Sequence, residues 1–273
     1  MCIRDSYLVA QYGILEGCAK TVSVGATPIA LTDCLCFGNP EKPEEMWQFS
    51  QSCLAIRDVC DNMQFSGSKN LPIVAGNVSF YNQSGDHSIP ASPMIGCFGK
   101  ITKKTILKNG FKSPSSNLFL LGDSPQFFGG SVVSQILGIN NTKIEKFDLK
   151  KYNNMLNCAL EANNNMLLES CSYVGLGGLA AAIAKMSFLN NIGCVIEGMD
   201  KETLFTENLS LIVEVSEENS ADFKRILDGK NCSYKQIGNT VDSNEIIFKN
   251  FIKLNISKAK EVWQNSLRER LQK

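Results

Sequence analysis

Histidine is what this sequence has least of: His87 is the single one among 273 residues. That excludes sites built on several imidazoles, whether metal centres or catalytic groupings with more than one His. An excess of one charge is also missing. Lys+Arg and Asp+Glu each number 27, so the formal net charge is zero. A nucleic-acid binder normally carries a basic excess or stripe, and the balance here argues against one. Long apolar runs are absent. Stretches such as Leu179–Ile183 fall far short of the roughly 20 residues that cross a bilayer. Met1–Ser6 carries Arg4 and Asp5 with no apolar segment behind it, so no signal peptide is read there.

Cysteine is abundant, but CxxC pairing is not. The eleven are Cys2, Cys18, Cys34, Cys36, Cys53, Cys60, Cys97, Cys158, Cys171, Cys194 and Cys232. The closest two, Cys34 and Cys36, flank one residue. Zinc sites need paired ligands at short spacing, and an odd count fits a disulfide framework poorly. Most lie in apolar runs, where a thiol acts as a small hydrophobe. The expectation is a reducing, cytoplasmic setting. With 44% hydrophobic and 20% charged residues, the chain has enough core for one large domain or two ordinary ones.

Periodicity divides the chain into two blocks. Tyr7–Val24 reads as a helix, with no cap before it and Gly25 as its stop. Pro28–Thr32 reads as a strand that enters a loop, Asp33–Pro43. The next helix begins at Pro43 and carries the stripe Met46, Phe49, Cys53, Ile56, Cys60, Met63. Phe65–Asn70 is a loop, Leu71–Ala75 a strand ending at Gly76, and Pro93–Ile101 another strand. Asn109–Asn117 is the best boundary. Beyond it come a strand at Leu118–Leu121, a short helix opened by Gly129–Ser131, and a helix from Asp148, its N-cap, to about Asn165. Leu167–Val174, Cys194–Glu197, Leu209–Val215, Cys232–Ile237 and Ile246–Leu254 read as strands. Gly177–Asn191, Glu217–Leu227 and a segment from Ser257 read as helices. Strands and helices alternating in two blocks predict an α/β (α+β) fold, with domains 1–112 and 113–273.

Two strand ends carry candidate chemistry. Asp33 follows the first, within TDCLCFGNPEKP. Gly76, Asn77 and Ser79 follow the second, within AGNVSFYN. Strand ends form the ligand crevice of open α/β sheets. A glycine there admits a phosphate, and Asn77 offers a hard cation a neutral oxygen. Asn77 and Ser79 differ by two and point to one side of an extended chain. Asp, Gly, Asn and Ser are equally the residues of ordinary turns. Composition alone leaves both readings open.

These segments carry a resemblance. TDCLCFGNPEKPEEMWQF, then PIVAGNVSFYN, then IPASPMIGCFG closely resemble the second half of phosphoribosylformylglycinamidine synthase, the synthetase of purine biosynthesis. Its pattern reads TDCLNFGNPEKPE, GNVSLYNE, PTPVIG. More loosely, Phe128–Ser131 resembles its LGGS helix start and Gly177–Met186 its GGLAVALAEMA helix. Trp263 fits its closing helix. The likeness extends from about Val9 to Leu271.

The resemblance implies an aminoimidazole-ribonucleotide-synthetase-like fold: a nucleotide-binding domain, then a C-terminal α/β sandwich domain. It implies a ligase that converts formylglycinamide ribonucleotide to its amidine with ATP, Mg2+ and glutamine-derived ammonia. By motif position, Asp33 and Gly76 would contact ATP, Asn77 would bind Mg2+, and Ser79 would contact substrate. The catalytic residues of this family lie in the preceding half. The expectation is therefore a C-terminal fragment with a truncated first domain and no catalytic residue of its own, inactive alone. Its partners would be the missing N-terminal half, a separate glutaminase subunit and a small accessory subunit. Met1–Ser6 matches nothing in the pattern. Cys36 stands where the pattern has Asn. Ser172–Gly178 stands where it has HDVSDGG, and both acids are gone, so Gly177 is read as serving the start of the helix.

The other candidates are read as structural. His87 is a solvated turn residue, Cys53 and Cys60 are core, and Trp263 is a core anchor. Lys258, Lys260, Arg268 and Arg270 form a solvated face. Whether Gly129–Ser131 cradles an anion stays open.

Overall fold

The computed structural model describes residues 6–65, 67, 70–102, 106–123, 128–139, 144 and 146–272. Cys2, most of Met1–Ser6 and part of the 65–70 loop lie outside the described residues.

The first block holds α1 (Ser6–Ser23), β1 (Thr27–Cys36), α2 (Pro43–Asn62), β2 (Ile73–Ser79), β3 (Gln83–Ser84), β4 (His87–Ser88) and β5 (Ser92–Lys100). Helix α1 buries Ala10, Ile14, Leu15, Cys18, Ala19 and Val22, spaced by one, three or four so that they share one face. Pro43 opens α2, with Glu44 and Glu45 at its positive end. Its buried face is Ser52, Ala55, Ile56, Val59 and Cys60, while Met46 is exposed and Phe49 and Cys53 only border the core. The main sheet here has the order β2-β1-β5, with β1 parallel to β2 and antiparallel to β5.

The second block holds β6 (Asn117–Leu121), α3 (Val132–Leu137), α4 (Leu149–Asn164), β7 (Ser170–Tyr173), α5 (Gly178–Phe188), β8 (Gly193–Ile196), α6 (Lys201–Phe205), β9 (Leu211–Val215), α7 (Ser220–Gly229), β10 (Tyr234–Val241), β11 (Glu245–Phe248), β12 (Ile252–Asn255) and α8 (Ile256–Leu271). Its seven strands run β12-β11-β8-β10-β6-β9-β7. Helices cover both faces, so its strands alternate between two cores. Phe119, Leu121, Leu211 and Val213 face α4 and α7. Leu118, Leu120 and Ile212 face α5. Strands buried on both sides read as continuous apolar runs, which is why NLFLL and LIVEV stand out. Asp148 caps α4 by accepting from the Lys150 and Lys151 amides at 3.1 Å each.

The core facing α4 is continuous with that of the first block, because α1 lies between them. The buried Tyr152 hydroxyl on α4 lies 3.3 Å from the Leu15 carbonyl and 3.2 Å from that of Leu209. The chain is thus an α/β protein whose two blocks share packing.

Four expectations need correction. Asp33 does not begin a loop: β1 continues to Cys36 because β5 pairs with it as far as Ser92. Gly76 likewise lies inside β2, which runs to Ser79. Ile246–Leu254 is a hairpin of β11 and β12, turned at Asn250, which takes the left-handed conformation that Asn tolerates. Trp263 is no core anchor. It is 56% exposed and rests on Phe188 at 5.8 Å, because α8 buries only its first residue, Ile256. His87 is exposed in β4. No described helix is long and apolar enough to cross a membrane.

Candidate functional site

The parallel ladder between β1 and β2 sets the register Asp33↔Gly76, Cys34↔Asn77 and Cys36↔Ser79. All four candidate residues therefore lie on two adjacent strands. Strand alternation divides them. Leu31 and Leu35 point into the core beneath the helices, and Asp33 shares their face with Gly76. Asn77 and Ser79 point to the opposite, open face, beside Cys34 and Cys36. The two faces are not one pocket.

A Cβ built on Gly76 would lie 2.2 Å from Asp33 Oδ1. The space beside this glycine is thus filled by the chain's own carboxylate. Among the described residues Asp33 has no hydrogen-bond or ion-pair partner, and burial pushes its carboxyl above the usual carboxylate range. The folded state therefore holds this proton more tightly than the unfolded chain does. That contribution to stability is complete below the unfolded pKa and is lost as pH rises through the folded one. Asp33→Asn is expected to raise the melting temperature at neutral pH and to lose that advantage in acid. A lower melting temperature at pH 7 would contradict this.

Ser79 is oriented by Asn82, which by its local sequence is an ordinary turn residue. Its amide nitrogen donates to the Phe37 and Ser79 carbonyls at 2.9 Å each. The FGNPEKPE turn is held from the same side. Tyr81 donates its amide to the Gly38 carbonyl at 2.7 Å and its hydroxyl to Glu41 at 3.2 Å. A cavity of about 600 Å³ lies beside this turn, lined by Phe37, Gly38, Lys42, Glu45 and Ser88 among others.

In the second block a cavity of about 340 Å³ opens at the end of β6, among Gly122, Asp123, Lys151, Tyr152, Asn208 and Ser210. The Ser233 hydroxyl and the Lys151 ammonium, 3.0 Å away, hold the Asp123 carboxyl below its usual range. Ser131 caps α3 by accepting from the Ser134 amide at 3.2 Å. Buried Glu207 reaches both helix starts that the resemblance singled out. Its Oε1 accepts from the Val132 and Gly177 amides, 2.9 Å each. Gly177, at φ 86°, is the N-cap of α5. Nothing in the local pattern marks Glu207, since an acid between Thr206 and Asn208 reads as solvated loop.

Among the described residues, no group of three or more His, Cys, Asp or Glu is placed to hold a metal. For Mg2+, Asn77 would offer one amide oxygen on the open face, whereas Asp33 lies behind the sheet. The residues present would thus fill one ligand position of such an ion.

Two family models match this chain. "AIR synthase related protein, N-terminal domain" covers residues 1–101, and the corresponding C-terminal domain covers residues 114–249. The PurL subunit of phosphoribosylformylglycinamidine synthase from Sulfurimonas denitrificans is 34% identical over 236 residues, 85% of this chain and 31% of that one. Its counterpart from Campylobacter jejuni subsp. doylei is 35% identical over 270 residues, 96% of this chain and 36% of that one. The chain thus spans about a third of the length of these relatives. Thermotoga maritima PurL complexed with ATP superposes with a TM-score of 0.72 at 14% identity, over 94% of this chain and 42% of that one. The same protein complexed with FGAR gives 0.73 at 15%, over 94% and 44%. PurLQS from that organism gives 0.69 at 13%, over 90% and 40%. With its first block matching one model and its second block the other, the chain belongs to the AIR synthase related family.

Proposed function

We propose that this chain is the C-terminal portion of the ATP-dependent ligase that makes formylglycinamidine ribonucleotide, comprising a truncated nucleotide-binding domain (1–112) and a sandwich domain (113–273). The observation that carries the reading is the agreement over 96% of the chain with a PurL subunit of which it covers 36%. It is supported by a shared fold with a PurL that was solved with ATP and with FGAR.

In the reaction, the glycinamide carbonyl oxygen of formylglycinamide ribonucleotide takes the γ-phosphoryl group of ATP, and ADP is released. Glutamine-derived ammonia then attacks that carbon and phosphate leaves. Mg2+, when bound, neutralises phosphate charge during transfer. On this chain, Asn77 offers the ion an amide oxygen and Ser79 offers substrate a hydroxyl that Asn82 holds in place. Asp33 and Gly76, paired across β1 and β2, are assigned to ATP by their motif positions. No catalytic residue is assigned here; those groups come from the N-terminal half. The remaining partners are a glutaminase subunit and a small accessory subunit, in the cytoplasm.

The test is reconstitution with a complementing N-terminal half and glutaminase. Amidine formation should depend on ATP and Mg2+, and Asn77→Ala should lower turnover at least tenfold, an effect of about 1.4 kcal/mol or more. Unchanged turnover in that variant would end the metal role of Asn77. The chain alone should show no turnover.

A second reading, a catalytically silent half that holds nucleotide and stabilises its partner, is favoured by the sequence at Ser172–Gly178. Both acids of the family pattern are missing there. Under it, Asn77→Ala would weaken nucleotide retention and leave turnover unchanged.

A further inference from the structure

The ligase reading leaves a pair of thiols on the open face of the first sheet without a task. Cys34 and Cys36 stand two residues apart on β1, their Sγ atoms 3.7 Å from each other. Leu35 between them is buried and anchors the strand, so both sulfurs are presented on the same side. Both are partly exposed, whereas Cys18, Cys60, Cys158, Cys171, Cys194 and Cys232 are buried. Cys36 is also where this chain departs from the family pattern, so the pair belongs to this sequence.

Strand geometry decides what the pair suits. Residues i and i+2 of a strand lie roughly 6.6–6.8 Å apart at Cα, the far limit of disulfide spacing at about 6.8 Å. Closing the bond would also require the sulfurs to approach to about 2.05 Å. A tetrahedral cation with metal–sulfur bonds of about 2.3 Å instead spans about 3.8 Å between its sulfurs, which is the separation already present. Thiolates select soft d10 ions.

The neighbouring strands extend the donor set. Met94 on β5 pairs with Cys34 from one side and Asn77 on β2 pairs with it from the other. Across the antiparallel pair of β1 and β5, directly opposite residues such as Cys34 and Met94 bring their Cβ atoms to about 4.5–5.5 Å. A thioether and a side-chain amide thus flank Cys34, while Ser79 and Ser92 pair with Cys36.

We propose that Cys34 and Cys36 are a two-thiolate chelating site for a soft divalent d10 cation of the zinc or cadmium class. Each thiol gives its proton to solvent as its sulfur bonds the metal, so binding one M2+ releases two H+ and leaves a neutral bis-thiolate. Solvent or Met94 completes the shell. The proposal does not rest on the nucleotide reading, although Asn77 lies beside Cys34.

The experiment is Cd2+ titration of the full chain, followed through the ultraviolet thiolate-to-cadmium charge-transfer band. The expected result is saturation at one Cd2+ per chain, reversal by excess Zn2+, and at least tenfold weaker binding in Cys36→Asn. Cys53→Ser, which removes a half-buried lone thiol, should bind as the parent does. Without any variant, stoichiometric Cd2+ should protect Cys34 and Cys36 from alkylation, as mapped by mass spectrometry. Unchanged Cd2+ binding in Cys36→Asn, or protection that falls on other cysteines, would overturn the proposal.

Discussion

Gly238→Ala is expected to destroy the native second sheet. Gly238 lies in β10, a central strand, and pairs with Leu118 of β6 on one side and Ile196 of β8 on the other. A Cβ there would stand 1.9 Å from the Val195 carbonyl oxygen and 2.9 Å from its carbon. Both are backbone atoms of a strand that β11 holds from its far side. No side-chain rotation relieves the contact, and φ of 154° is itself a conformation that alanine rarely takes. Ordinary overpacking costs about 1–3 kcal/mol because side chains yield. Here the ladder must separate, so a loss above about 4 kcal/mol is expected, against a typical total of about 5–15. Loss of near-ultraviolet circular dichroism and of a cooperative melt would report it. Gly229→Ala is the control. It ends α7 with nothing within 4 Å of the added carbon, and it should stabilise by about 0.4–1 kcal/mol. A native melt for Gly238→Ala would refute the backbone clash.

Glu214→Ala is expected to cost about 3–5 kcal/mol, because it removes the acceptor of three donors. The residue is wholly buried in β9. Its carboxylate takes hydrogen bonds from the Lys112 amide at 2.8 Å, the Ser113 amide at 3.0 Å and the Ser170 hydroxyl at 2.6 Å. It thereby ties the segment joining the two blocks to the sheet of the second. Truncation leaves two amides and a hydroxyl unpaired in the interior. Glu214→Gln keeps the volume and one carbonyl oxygen and should cost about half as much. Denaturant midpoints measure both, and amide exchange at Lys112 and Ser113 should accelerate in step. A loss below about 1 kcal/mol for the alanine variant would show that these donors find other acceptors.

These two residues also mark how far the sequence could be read. Features settled by neighbours along the chain were legible: the Asp148 cap, the apolar runs of β6 and β9, and the start of α2 at Pro43. Features settled across the fold were not. β1 and β2 outran their expected ends because pairing strands extended them through Asp33 and Gly76, residues that locally resemble a turn. Trp263 looked like a core residue by type alone, and the five-residue α6 is too short to show a period. Buried Glu207 and Glu214 look like solvated acids until their donors, distant in sequence, are seen.

The candidate site shows the same division. Spacing by two placed Asn77 and Ser79 on one side. Only the register of β1 against β2 put Asp33 behind the sheet, over Gly76. Cys34 and Cys36 were visible as a spacing too close for CxxC. Their alignment on an open face depended on Leu35 being drawn into the core.

Glu207 has an electrostatic consequence. A helix start carries about half a positive elementary charge, and the starts of α3 and α5 converge on one carboxylate oxygen. Together they roughly balance its full negative charge, so this corner of the second block is close to neutral. The potential that would draw a phosphate toward the Gly129–Ser131 turn is already spent on the chain's own side chain. The neighbouring cavity adds no net attraction for an anion, because Lys146 and Lys151 are matched there by Asp123 and Asp148.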